Sequence, residues 1–269
     1  MTASDPLSFC PPAGALDPSP LSPAPAWAQP WFAPWARTGQ GALALHVAGQ
    51  PLPDALNAAG EAPVRFVPPD ALPPGAAYER FIFEHAAVPT RTGWHDFFNA
   101  LVWLGMPVTK RQLNRLQAAE IARDGVQARR GPVRDAITVF DENGALLHAP
   151  DALWEALAER RWAALFGPLR PLWDEASFML FGHAALEKLL SPYKSITVHV
   201  LRVDQPFDTA GDLHALDAAL ANALTPERLA TKPFVPLPVL GVPGWWAANA
   251  DPAFYADANV FRPLRRVLE

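Results

Sequence analysis

Cys10 is the only cysteine in the 269-residue chain, which excludes an internal disulfide and any cysteine-based zinc cluster. Its Pro-rich surroundings give no reason to assign it a catalytic role. Lysine is scarce too: only Lys110, Lys188, Lys194 and Lys232 carry an ammonium, and the other basic residues are Arg. A formal net charge of −5 leaves no global field that would draw nucleic acid or an anionic membrane. No apolar run reaches the roughly 18 residues of a spanning helix, and the opening MTASDPLSFCPP lacks the basic and apolar regions of a signal peptide. A cytoplasmic protein is the expectation. There is no P-loop, G-x-G-x-x-G, G-x-S-x-G or H-E-x-x-H, so nucleotide-cofactor and standard hydrolase signatures are missing.

What is present is apolar bulk. Half the residues are hydrophobic, and ten Trp and 31 Pro stand among them. The composition predicts one packed α+β domain over residues 37–269, with about five helices, a small mainly antiparallel sheet and an irregular C-terminal wrap. Residues 1–36 read as a Pro/Trp-rich extended arm. In it Trp27, Trp31 and Trp35 recur every four residues, and their area favours docking on the body.

Helices are expected over 94–104, 109–124, 151–166, 175–190 and DLHALDAALANAL. The second carries Leu113, Leu116, Ala119 and Ile121 on its apolar side. SITVHVLRV reads as a strand, and DAITVFDENGALLHAP as a hairpin turning at Asp141-Glu142-Asn143-Gly144.

Three constellations could carry chemistry. TGWHDFFNALVWLGMP places His95, Asp96 and Asn99 within five residues of an otherwise apolar helix. Buried there, they must be hydrogen-bonded, either as a structural network at a helix start or as a base or metal ligand with its orienting partners. In FGHAALEK, His183 and Glu187 stand one helical turn apart, the spacing of two metal ligands or an acid–base pair; by itself it is common. Lys188 follows as an anion contact or a solvated residue. Between Thr109 and Arg134 stand seven basic residues and two acidic ones. Here RRGPVRD brackets a Gly-Pro turn with Arg129, Arg130 and Arg134, either an anion clamp or a solvated surface. The absence of aromatics in this stretch argues against a nucleic-acid platform.

The blocks WHDFFNALVWLGMPVTKRQLN, RGPVRDAITVFDENG, FGHAALEKLLSPYKSITVHVL and PLPVLGVPGWW with DPAFYADANVFRP, in that order, resemble the bacterial domain-of-unknown-function family 3025 over about residues 27–265. The resemblance implies a one-domain protein of unknown activity and brings no catalytic residues.

These readings converge on an enzyme performing acid–base or metal-assisted hydrolysis on a small phosphate- or carboxylate-bearing molecule. His95, Asp96, His183 and Glu187 are the candidate catalytic residues, and Asn99, Arg134 and Lys188 the candidate substrate contacts. A divalent metal is the candidate cofactor. The rival is a non-catalytic binding or assembly protein whose polar clusters are structural. Oligomeric state is not legible.

Overall fold

The computed structural model describes residues 21–125, 131–209, 211 and 213–264. Cys10, Arg129 and Arg130, and most of the expected arm, lie outside them. In chain order come α1 (Ala36–Val47), α2 (Leu52–Ala59), β1 (Arg65–Val67), α3 (Tyr78–His85) and β2 (Ala87–Pro89). They are followed by α4 (Trp94–Gly105), α5 (Pro107–Asp124), α6 (Pro132–Asn143), β3 (Gly144–His148), α7 (Asp151–Ala158) and α8 (Trp162–Leu165). The last are β4 (Ser177–Leu180), α9 (His183–Lys188), β5 (Thr197–Arg202), α10 (His214–Ala223), α11 (Pro226–Ala230) and β6 (Val235–Pro238).

The fold is α+β, but the helices are more numerous than the five expected: eleven α-helices among the described residues. The excess lies in short pieces such as α8, α9 and α11, of 4, 6 and 5 residues, too brief to show a helical period. The main sheet has strand order β4-β3-β5-β6. β3 runs antiparallel to β4 and parallel to β5, and β5 antiparallel to β6. A separate two-stranded sheet pairs β1 with β2 in parallel, so the antiparallel bias holds only in the larger sheet. Its central strands are apolar on both faces: Leu146, Leu147, Val198, Val200 and Leu201 are all buried.

The expected hairpin is not formed. Residues 132–143 are helix, and the strand begins only at Gly144. Ile137-Thr138-Val139 suggests a strand by its β-branching. Yet Pro132 opens the segment, and Val133, Ala136, Ile137 and Phe140 bury one helical face. Gly144 is not a turn residue, since its φ of −72° is extended. It is small because a Cβ there would lie 2.3 Å from the Phe140 carbonyl oxygen. Gly182 is equally constrained, its missing Cβ falling 2.5 Å from the Asn143 and Gly144 nitrogens. The Gly182 and Phe181 amides both donate to the Gly144 carbonyl. This close approach sets the start of α9 against the end of α6.

The expected helix over 175–190 is likewise split, into β4 and α9. In α5, Leu113, Leu116 and Ile121 are buried but Ala119 is exposed, because α3, α6 and α10 cover this helix on several sides. Its N-terminus is closed from a distance: the buried Asp217 carboxylate of α10 accepts from Val108 N and Thr109 N at 2.8 and 2.7 Å.

The described part of the arm is docked and, from Ala33, helical rather than extended. Trp31 and Trp35 are 2% exposed, and Phe32 stacks on Phe98 of α4 at 5.5 Å. Trp31 also meets Trp245 at 6.0 Å, joining the described part of the arm to the C-terminal segment. After β6 that segment runs through three short 3-10 helices. No helix among the described residues is long and apolar enough to cross a membrane.

Candidate functional site

Helix α4 is buried on most sides because its apolar residues wrap it, so its polar residues must find partners inside. They point to one cavity of about 390 Å3, lined by α3, α4, α5, α6 and the start of α9. That volume is in the range of small-molecule sites.

His95 is clasped from both sides by α9. Its Nδ1 donates to Glu187 Oε2 at 2.9 Å, and its Nε2 lies 3.1 Å from His183 Nε2. The pair one turn apart in FGHAALEK thus grips a single imidazole 88 residues away. Glu142 Oε2 stands 3.8 Å from His183 Nε2 and Asp141 Oδ2 3.7 Å from His183 Nδ1. One donor atom each from His95, Glu142 and His183 falls within 4.8 Å of the others.

Electrostatics separate the two imidazoles. The Glu187 hydrogen bond raises the pKa of His95, against partial burial. Burial lowers His183 to about 4, more than Asp141 can offset. His183 is therefore neutral near pH 7, and the facing Nε2 atoms require a proton or a metal ion between them.

Deeper in the wall, Lys110 is 4% exposed and donates to Asn99 Oδ1 at 2.8 Å and Asp141 Oδ1 at 2.5 Å. Burial alone would raise the Asp141 carboxyl, but Lys110 and the two imidazoles together hold it below its ordinary value. Asp96 is committed elsewhere: it accepts from Arg91 N, Nε and Nη2, tying the loop to the first turn of α4. Asn99 Nδ2 reaches the Tyr78 hydroxyl at 3.5 Å. Glu79 on α3 is half-buried; desolvation first, then the Asp141 charge, raise its pKa although Asn114 Nδ2 donates to it.

The sequence-derived residues therefore part ways. His95, His183 and Glu187 meet, while Asp96 and Asn99 line the same cavity as clasps. Arg134 lines it from α6. Lys188 does not, and instead donates to Asn143 Oδ1 on the exposed side of α9. Sequence reasoning missed Asp141 and Glu142, read as turn residues, and also Lys110, Tyr78 and Glu79. The spacing Arg134, Thr138, Asp141, Glu142 behind Pro132 marks one helical face and would have revealed the first two.

The family model described as a protein of unknown function (DUF3025) matches residues 64–265, a span that includes every cavity-lining residue. No curated protein and no solved structure matches the chain.

Proposed function

The chain belongs to the DUF3025 family, whose description assigns no activity, and from the geometry of the cavity we propose that it is a metal-assisted hydrolase of small anionic molecules. The observation that carries this reading is that one donor atom each of His95, His183 and Glu142 lies within 4.8 Å of the others. A tetrahedral ion with ligand bonds of about 2.05 Å separates its ligands by about 3.3 Å. The 3.1 Å between the imidazoles and 3.8 Å from His183 to Glu142 bracket that value.

Two His and one carboxylate with an open fourth position make a catalytic rather than a closed structural set. Glu187 fixes the His95 tautomer, holding the proton on Nδ1 so that the Nε2 lone pair faces inward. Lys110 keeps Asp141 ionised beside His183. His95, His183 and Glu142 would hold a divalent ion here, and that ion would supply a Lewis acid and an activated water for hydrolysis. Arg134 supplies the cation that an anionic substrate requires.

The test is to titrate the full chain separately with Zn2+, Mn2+ and Co2+ and to assay each loaded form on carboxylate- and phosphate-bearing esters and amides. We expect one ion per chain, cation-dependent turnover, and loss of both in His95→Ala and His183→Ala. Failure of all three cations to bind at one per chain rejects the metal-assisted reading.

A further inference from the structure

Helices α5 and α6 form an antiparallel pair: Lys110, near the start of one, meets Asp141, near the end of the other. Their cavity-facing residues are Lys110, Leu113, Asn114, Gln117 and Ile121 on α5, and Arg134, Ile137, Thr138 and Asp141 on α6. The trough therefore has two ends. The His95–His183 group lies at one, and Arg134 and Gln117 lie at the other, since eight residues of helix separate Arg134 from Glu142 by about 12 Å.

The second end is chemically unfinished. Arg134 is 9% exposed and Gln117 7% exposed, yet Arg134 Nε and Gln117 Oε1 are fully buried and have no hydrogen-bond partner. Buried polar atoms are nearly always paired; of the three unpaired ones on residues lining this cavity, His183 Nδ1 lies at the other end, and these two, of opposite polarity, describe the groups missing from this end. The guanidinium fork asks for a planar acceptor pair, and the amide oxygen asks for an N–H or O–H donor. Ile82, Leu113, Ile121 and Ile137 line the same cavity and suit an aliphatic body. Lys110 is paired with Asp141 and Arg91 with Asp96, so among the described residues that line the cavity Arg134 is the one cation without a carboxylate partner. That balance suits a monoanionic carboxylate better than a dianionic phosphate.

We propose that the Arg134–Gln117 end recognises an N-acyl amino acid: a carboxylate on the guanidinium, the adjacent amide N–H on Gln117 Oε1, and an aliphatic side chain against the isoleucines. The carboxy-terminal residue of a short peptide offers the same chemistry. This rests on reading the cavity as the substrate site, and it makes the substrate elongated, with the hydrolysed bond toward the His95–His183 end and away from the carboxylate.

The test measures binding of N-acetyl-L-leucine, 4-methylpentanoate (carboxylate without the N–H) and inorganic phosphate to the full chain by calorimetry. N-acetyl-L-leucine is expected to bind about tenfold tighter than either of the others, one good hydrogen bond being worth about that factor. Arg134→Gln should weaken it by about tenfold or more, with Arg134→Lys, which keeps the charge but loses the fork, also weakened. Gln117→Leu should abolish the preference over 4-methylpentanoate and retain the carboxylate. His95→Ala should bind N-acetyl-L-leucine as the wild type does, so that loss of metal or turnover is read separately from loss of recognition. Phosphate binding tighter than both carboxylates, no saturable binding of N-acetyl-L-leucine, or affinity unchanged in both Arg134→Gln and Gln117→Leu would each overturn the assignment.

Discussion

At one end of the α5–α6 trough, Lys110 directs its charge at Asn99 and Asp141; at the other, Arg134 faces the cavity with its Nε unpaired. Both cations are buried to a similar degree on adjacent helices, 4% and 9% exposed. The difference is in their partners. A buried cation whose hydrogen bonds close within the protein supports the fold, and its removal strands a carboxylate. A buried cation left open contributes nothing comparable to the fold and is kept for something else. Substitutions at the two ends should therefore fail in different ways.

The largest effect belongs to the closed end. Lys110→Ala removes the partner of Asp141 and the cation beside Asn99, leaving an uncompensated carboxylate, and should destabilise the protein by about 3–5 kcal/mol. Chemical denaturation at pH 7 measures this. A loss under about 1 kcal/mol would show that Asp141 reaches solvent and that the two ends do not differ as argued.

Next is Glu187→Gln. The carboxylate holds His95 in position from the side away from His183, a supporting role of the kind that costs metal sites about 10–100-fold in affinity when lost. Zn2+ titration of this variant should show that loss with the melting curve of the metal-free protein nearly unchanged, because Glu187 and His95 are both partly exposed. Unaltered affinity would remove Glu187 from the site.

Between the ends lies Glu79, whose carboxyl burial pushes upward. A carboxyl with a raised folded pKa favours the protonated state in the native protein. Its contribution to stability is complete below the unfolded value and falls as pH rises through the folded one. Glu79→Gln keeps an oxygen for Asn114 and removes the charge. It should therefore leave stability unchanged near pH 4 and raise the denaturation midpoint increasingly toward pH 8. A constant difference across that range would show that Glu79 does not titrate in the folded state as burial demands.

Much of this was legible in the sequence, and what was not has physical reasons. The polar trio of α4 stood out because nothing else in that helix is polar, and the His183–Glu187 spacing is local. The α+β class followed from strand and helix segments long enough to display their periods. Asp141 and Glu142 were hidden because β-branched Ile137-Thr138-Val139 and the Asn143-Gly144 pair imitate a hairpin and outweigh the helical spacing behind Pro132, which packing against α5, α9 and α11 bears out. The choice of partner for each cation was not legible at all. Lys110 and Arg134 belong to one basic stretch, and which is neutralised depends on a contact across 31 residues.

The smallest expected effect is therefore the most discriminating. Arg134→Met replaces the open guanidinium with an unbranched apolar chain of similar length. In a structural role, with a concealed carboxylate partner, the change would cost about 3 kcal/mol or more. As an unpaired group it carries its desolvation cost in the ligand-free protein without a hydrogen bond at Nε to offset it, so its removal should leave stability within about 0.5 kcal/mol of wild type or raise it slightly. Urea denaturation of Arg134→Met beside Lys110→Ala gives both numbers under one condition. Equal losses would mean that both cations are structural and would cancel the contrast between the two ends. A stable Arg134→Met protein that no longer takes up N-acetyl-L-leucine would show a cation kept in the wall of the cavity for its ligand.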